Sequence, residues 1–298
     1  MVHFLLIFLA ITIGYILARA KFFTDNAAAV LNQFVIYISL PAMVLLEIPK
    51  LTFSMDVLIP ILVSWMVMGV SASLTFILSK FFGFTKEVTG ALMLVAVLTN
   101  SSFLGIPIIH AYLGEEALPY ILVYDQMGTF LALSTYGIFV AAYYSQSSEI
   151  NAKIMAVKIA TFPPFVSLVL ALFLMGARFP GSILSVLETL GDTIVPIALV
   201  AVGLQLKLKL PSHEVKPFGM ALFMKLLIAP LVALFIVKLA GWDSLASDVS
   251  IMEAGMAPMI TAGAMASLAG LAPRLSSAIV GYGILVSFAT TAILFQVL

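Results

Sequence analysis

Three short polar stretches interrupt long apolar ones in this sequence: "TNSSFLGIPI" at 99–108, "YDQMGTF" at 124–130 and "MEAGMAPMIT" at 252–261. Asn100, Ser101 and Ser102 carry hydrogen-bond donors and acceptors. Asp125, Gln126 and Thr129 add a carboxylate, an amide and a hydroxyl, with Thr129 one helical turn after Asp125 on the same face. Glu253 supplies a second carboxylate. A carboxylate within an apolar span is costly enough to imply a function by default. Glu253, Asp125, Gln126 and Thr129 are therefore candidates for coupling to an ion, a proton or sodium. Hard cations take several oxygen ligands, and Asn100, Ser101, Thr129 and Glu253 could supply a sodium site. Two blander readings of Glu253 stay open: pairing with Lys225, or reaching the outer interface. Asp125 and Gln126 are equally compatible with an interfacial or packing role.

Gly105 and Pro107 are the backbone counterpart of those polar groups. Proline lacks an N–H and disfavours helical geometry at the preceding Ile106, yet is well tolerated at the first position of a new helix. Gly105 can take left-handed dihedrals without steric cost. The spacing predicts that one half-helix ends and another begins within "SSFLGIP", and that Pro258 does the same in the third stretch. Backbone groups freed in this way must be covered by protein or line a wet cavity. Asn100 lies about 12 residues into its span, or roughly 18 Å at helical rise, near mid-bilayer. Two half-helix N-termini facing each other there would suit an anion such as a carboxylate. The competing reading is that Pro107 and Pro258 are simple kinks. Met252, Met256, Met259 and Met265 read mainly as packing, with Met256 and Met259 flanking the break and able to line it.

Helices must carry these groups across a bilayer. The chain has 298 residues, 63% hydrophobic and 9% charged, with a mean hydropathy of +1.19; soluble domains carry about 25% charged residues. An integral membrane protein follows. Apolar runs give ten candidate spans of roughly 20 residues each, at about 4–18, 27–46, 57–79, 88–113, 118–144, 154–177, 182–206, 215–239, 247–270 and 274–297. Arg19 and Lys21 follow the first run rather than precede it, the wrong order for a signal peptide, so a retained first span is expected. The links after odd-numbered spans hold Arg19, Lys21, Lys80, Lys86, Lys153, Lys158, Lys207, Lys209, Lys216 and Arg274. The opposite links hold Lys50, Arg178 and Lys238. Positive charge marks the cytoplasmic side, which puts both termini outside.

The second half of the chain echoes the first. "LNQFVIYISLPAMVLLEI" resembles "LETLGDTIVPIALVAVGLQL", with Pro41 and Pro196 at matching places, while Pro107 and Pro258 mark spans 4 and 9. Five spans per half is an odd number, so the halves, 1–150 and 151–298, are expected to be inverted repeats, a transporter signature. Gly/Pro-interrupted segments at corresponding positions are its pointer to the binding site.

Net charge is zero, against a nucleic-acid partner. The chain has no cysteine, and its three histidines (His3, His110, His213) are scattered. HExxH and DDxxD-type motifs are absent from the sequence, so neither an enzyme nor a cofactor is expected. Glu115 and Glu116 read as a solvated loop, Asp192 and Glu188 as outer-interface groups, and Lys225 as a structural or snorkelling cation. His110 suits packing or a proton relay.

"NSSFLGIPIIHAYLG", "YISLPAMVL", "PIALVAVGLQL", "KLLIAPLVAL" and "MEAGMAP" together resemble the auxin efflux carrier family over essentially the whole chain. The resemblance implies an all-α membrane protein of ten helices in two inverted five-helix repeats, with a scaffold part and a transport part. It further implies broken helices 4 and 9 crossing at their prolines, a homodimer, and secondary transport by an elevator-type alternating access, here in a bacterial inner membrane. By motif position, Asn100 is the crossover residue that touches substrate. The expected binding set is Asn100, Ser101, Ser102, Gly105, Ile106, Pro107, Met256, Pro258 and Thr261, taking a small organic anion such as an auxin-like, mono- or dicarboxylate. Many members carry proline where this chain has Ala257 and a polar residue such as asparagine at Thr261. The alternative is a sodium-coupled carrier of a bulkier anion, similar to bile-acid carriers.

Overall fold

The computed structural model describes residues 2–24, 26–50, 55–145, 160–161, 163–177, 179–206 and 214–298. The side chain of His3, and Lys153, Lys158, Arg178, Lys207, Lys209 and His213, lie outside the described residues. The described chain is helical throughout: α1 (Val2–Arg19), α2 (Ala27–Lys50), α3 (Asp56–Phe81), α4 (Lys86–Val95), α5 (Ser101–Leu113), α6 (Glu115–Tyr144), α7 (Pro163–Phe173), α8 (Gly181–Gln205), α9 (Val215–Ala240), α10 (Leu245–Ala254), α11 (Ile260–Leu268) and α12 (Pro273–Phe295). Six of these, α2, α3, α6, α8, α9 and α12, are long and apolar enough to cross a membrane. The single spans expected at 88–113 and 247–270 are each two helices, α4 with α5 and α10 with α11, because the chain leaves helical geometry at 96–100 and 255–259.

Local chemistry explains several boundaries. Thr85 starts α4 by accepting a hydrogen bond from the Val88 N–H, which occupies one of the unpaired donors of a helix start. Gly241 ends α9 in the left-handed region at φ 67°, a conformation that side chains resist. Elsewhere the helices widen rather than stop. Segments Val35–Ser39, Ser101–Gly105, Tyr124–Phe130, Leu133–Gly137 and Met224–Ile228 make i→i+5 turns. Such turns leave carbonyls free and recur at functional sites. One freed carbonyl, that of Met127, accepts from the Trp65 indole N–H at 2.9 Å.

Three apolar clusters hold the helices together. The largest joins α1, α2, α5, α6, α7, α8, α10, α11 and α12 through residues such as Ile7, Leu40, Leu104, Ile121, Leu199 and Ile284. A second joins α4, α6, α9, α11 and α12. The third packs Ile59, Val63 and Val67 of α3 on Ala229, Ala233 and Ile236 of α9 and on Ile251 of α10. Small residues allow the closest crossings, as is common between membrane helices. Gly14 of α1 and Gly203 of α8 face each other, and a Cβ on Gly203 would stand 2.9 Å from the Gly14 Cα. Outward, α1, α3, α7 and α9 expose Phe8, Ile77, Leu170 and Phe235, as expected of surfaces that meet lipid rather than water.

Candidate functional site

The two helix interruptions touch each other. Asn100 leaves helical geometry at φ −85°, ψ 68°, and Met259 is extended at φ −66°, ψ 125°. Thr99 and Pro258 lie opposite one another in an antiparallel bridge. The Asn100 N–H donates to the Ala257 carbonyl, and the Met259 N–H donates to the Leu98 carbonyl, both at 3.0 Å. In this arrangement the opposed pair itself exchanges no hydrogen bonds. Pro258 therefore sits where its missing N–H is not called for. Ala257 joins through its carbonyl and is fully buried.

The two prolines play different parts. Pro258 lies within its break, whereas Pro107 lies beyond one, in the first turn of the regular helix Ile106–Leu113 that follows the widened turn Ser101–Gly105. Gly105 is not left-handed: its dihedrals, φ −58° and ψ −54°, are ordinary right-handed helix. Steric contact accounts for the glycine instead. A Cβ on Gly105 would collide with Glu253, landing 2.7 Å from Oε2 and 2.8 Å from Cδ.

Glu253 is fully buried in the last turn of α10, and neither carboxyl oxygen has a hydrogen-bond partner. The N–H of the adjoining Gly105 donates to the Asn100 carbonyl at 3.0 Å. Lys225, also fully buried, does not pair with Glu253; no ion pair joins them among the described residues. Its ammonium instead donates to Thr99 Oγ1 at 2.5 Å and to the Ala254 carbonyl at 3.0 Å. It thereby satisfies a carbonyl at the negative end of α10 and ties that end to the other break.

The Asp125 carboxyl, by contrast, is well supplied with hydrogen bonds. Ser101 and Ser102 donate to its Oδ1, each at 2.5 Å, and the Gln126 amide donates to Oδ2 at 2.6 Å. The Thr129 hydroxyl lies 2.5 Å from that of Ser101 and donates to the Asp125 backbone carbonyl at 2.9 Å. Asn100 Nδ2 and Gln126 Oε1 remain buried and unpartnered.

A cavity of about 100 Å³ adjoins this cluster, with Ser102, Asp125, Gln126 and Thr261 as its polar wall and Val35, Ile36, Leu40, Phe103, Phe130, Leu133 and Met259 as its apolar wall. Phe130 and Leu133 also border a larger groove of about 350 Å³ that reaches Tyr37, Pro163 and Met265. Of the expected residues, Ser102, Asp125, Gln126 and Thr261 meet in the cavity wall. Asn100, Ser101 and Thr129 lie beside it, while Ile106, Pro107 and Met256 are buried in packing. Asp192 and Glu188 are exposed at the end of helix Gly181–Gly191, Glu115 and Glu116 are exposed at the start of α6, and His110 is half-buried. Phe130 and Leu133 were not singled out from sequence, although with Gln126 they follow an i, i+4, i+7 spacing that marks one helix face. Among the described residues no group of three or more His, Asp or Glu is placed to hold a metal ion.

The profile of a family described as membrane transport protein matches residues 1–295. An uncharacterized transporter of Methanocaldococcus jannaschii is 27% identical over 262 residues, spanning 85% of this chain and 83% of the relative. An uncharacterized transporter of Methanothermobacter thermautotrophicus is 26% identical over 259 residues, spanning 86% and 84%.

Proposed function

The chain belongs to the auxin efflux carrier family of membrane transport proteins, and from that premise we propose that it is a secondary transporter of a small organic anion, bound beside the crossing of its two interrupted helices. It is an integral membrane transporter, and its family implies a small-molecule substrate. In the finer reading, α4 with α5 and α10 with α11 are broken spans, which makes ten spans in two inverted five-helix repeats, 1–150 and 151–298. The observation that carries the proposal is the Thr99–Pro258 bridge, which joins corresponding breaks of the two halves at buried, unpartnered polar groups. A further meeting of like positions supports it: Ser39 and Thr193, two and three residues before Pro41 and Pro196, share a hydrogen bond at 2.7 Å.

The substrate's anionic group sits at the start of α11. The first N–H groups of a helix have no partner within it; Thr261 beside them lines the cavity, and Asn100, whose backbone N–H bonds the Ala257 carbonyl, holds a buried amide nitrogen without a partner that can donate. The apolar wall takes the body of the substrate, and alternating access moves the crossover-bearing helices against α1, α2, α7 and α8. Transport is coupled to a proton or sodium through Glu253 and the Asp125 cluster, in a homodimer of a bacterial inner membrane with both termini outside. A thermal-shift screen of purified protein against organic acids, with and without sodium, tests the reading. Stabilisation by a carboxylate, lost in Asn100→Ala with the fold intact, is the expected result. Carboxylate binding that is unchanged in Asn100→Ala removes that residue from the site.

A further inference from the structure

Away from the crossover, an open cavity of about 560 Å³ lies where the end of α1, the start of α2 and the end of α8 meet. Its volume is within the range of about 300–1,000 Å³ that small-molecule sites occupy. Tyr15, Arg19 and Thr24 give it a polar wall, and Ala18, Phe23, Leu204 and Leu206 an apolar one. No carboxylate lines it among the described residues.

Local structure brings these groups together. Tyr15 and Arg19 are one turn apart on the same face of α1. Arg19 Nη2 donates to the Tyr15 hydroxyl at 2.8 Å, and Arg19 Cζ stands 5.3 Å from the centre of that ring. The helix then ends on a left-handed residue, Lys21, with φ 55°. The Lys21 N–H donates to the Ala18 carbonyl at 3.3 Å and the Phe22 N–H to the Leu17 carbonyl at 3.2 Å. Helices commonly close with this pair of bonds, although glycine is the usual residue where this chain has lysine. The turn sends Phe23 and Thr24 back to the cavity wall. Phe22 and Phe23 are exposed, as aromatic residues are at a membrane–water boundary, with Arg19 and Lys21 exposed beside them. Arg19 has no carboxylate partner among the described residues, which leaves most of its donors for a ligand.

We propose that this cavity holds the headgroup of an anionic phospholipid from the leaflet at the Arg19 end of α1. The guanidinium is a planar fork of donors that matches the oxygens of a phosphodiester. The Tyr15 hydroxyl accepts from Arg19 and still has its own O–H to donate; Thr24 adds a second hydroxyl. With no carboxylate in the wall, the net negative charge of a phosphatidylglycerol headgroup is unopposed. A zwitterionic headgroup fits less well. Its ammonium would lie beside Arg19, and the Tyr15 ring, a face that could attract it, already has the guanidinium over it. Phe23, Leu204 and Leu206 meet the upper part of the acyl chains. Basic pockets between spans on the cytoplasmic side suit such headgroups, and the orientation proposed above puts Arg19 and Lys21 on that side. Gly14 and Gly203 pack α1 closely on α8, so a lipid held here anchors the helices against which the crossover moves. The site stands apart from the crossover and from the identity of the substrate.

Native mass spectrometry of the purified full chain, titrated separately with phosphatidylglycerol and phosphatidylcholine of the same acyl chains, reads how strongly each lipid is held. The expected result is tighter retention of phosphatidylglycerol by about fivefold, the factor that one basic residue contributes at an anionic surface. Arg19→Gln removes the charge and Ala18→Trp fills the cavity; each should bring the two lipids to parity. Lys86→Gln, which removes another exposed cation lying over a ring, that of Tyr143 at 5.7 Å, should keep the difference. Melting curves without lipid check that the variants are folded, and Thr24→Trp fills the same cavity should Ala18→Trp not fold. Parity in the parent chain, a difference that survives either cavity variant, or an equal loss in Lys86→Gln overturns the proposal. Inorganic phosphate in excess should leave the phosphatidylglycerol bound. Displacement by phosphate would make the cavity a site for soluble anions and overturn the lipid assignment.

Discussion

Gly105 has a physical constraint different from the one its place in the sequence suggests. A glycine ahead of a proline suggests backbone freedom, yet its dihedrals are those of any helical residue. The demand comes from Glu253, which lies 148 positions later in the chain and presses its carboxyl where a Cβ would be. That contact is invisible without the fold. Gly105→Ala is accordingly expected to leave the fold standing, because the group displaced is the far end of a flexible side chain and alanine is the better helix former by about 1 kcal/mol. Its effect should fall on the pH dependence of transport, measured beside an unchanged melting temperature. A large drop in melting temperature with normal pH dependence would show that Gly105 serves packing alone. Lys225 calls for the opposite outcome. Lys225→Met leaves the Ala254 carbonyl and the Thr99 hydroxyl buried without their partner, a loss of about 1–3 kcal/mol per orphaned group. A clear fall in thermal stability is the expected reading, and a melting curve like that of the parent would contradict the pinning role.

At the scale of elements, the polar residues of "TNSSFLGIPI" and "YDQMGTF" were legible because each breaks an apolar run. Their geometry was not, because a sequence period of 3.6 does not reveal where a helix widens. Ser101 and Ser102 reach Asp125 from one i→i+5 turn, and Asp125, Gln126 and Thr129 occupy another. The widened turns thus bring together groups that regular helices would have aimed differently. Matching prolines in the two halves suggested two equivalent breaks, but the bridge forms at Thr99–Pro258 and leaves Pro107 a turn away. Proline is tolerated at 258 because the bridge asks for N–H groups only at its neighbours. Pro258→Ala keeps both hydrogen bonds of the bridge but adds a buried N–H for which the bridge has no acceptor, and should cost about 1–3 kcal/mol. Met259→Pro removes the N–H that serves the Leu98 carbonyl and should cost about 1–3 kcal/mol. Denaturation curves of Met259→Pro and the parent in the same detergent check this; an unchanged midpoint would mean that the bridge bond contributes nothing.

For the whole molecule, composition alone indicated a membrane protein, since 9% charged residues cannot cover a soluble surface. The count of spans was harder to read. Six of the described helices are continuous and long enough, while 88–113 and 247–270 each divide into two shorter helices, and hydropathy responds to the apolar run rather than to the break within it. Orientation rests on charge, with ten Lys and Arg in one set of links against three in the other, and it can be tested cleanly because the chain has no cysteine. Lys86, the first residue of α4, and Asp243, just ahead of α10, are both exposed. If those helices are inverted copies, the two residues lie on opposite faces of the membrane. In intact cells, an impermeant maleimide should then label Asp243→Cys and leave Lys86→Cys untouched until the membrane is opened. Arg274→Cys, also exposed, should behave like Lys86→Cys. Labelling of both Lys86→Cys and Asp243→Cys from outside would remove the inverted repeat, and with it the reason for two half-helices to meet head to head at mid-membrane. A full reversal of the pattern would keep the repeat and turn the molecule over.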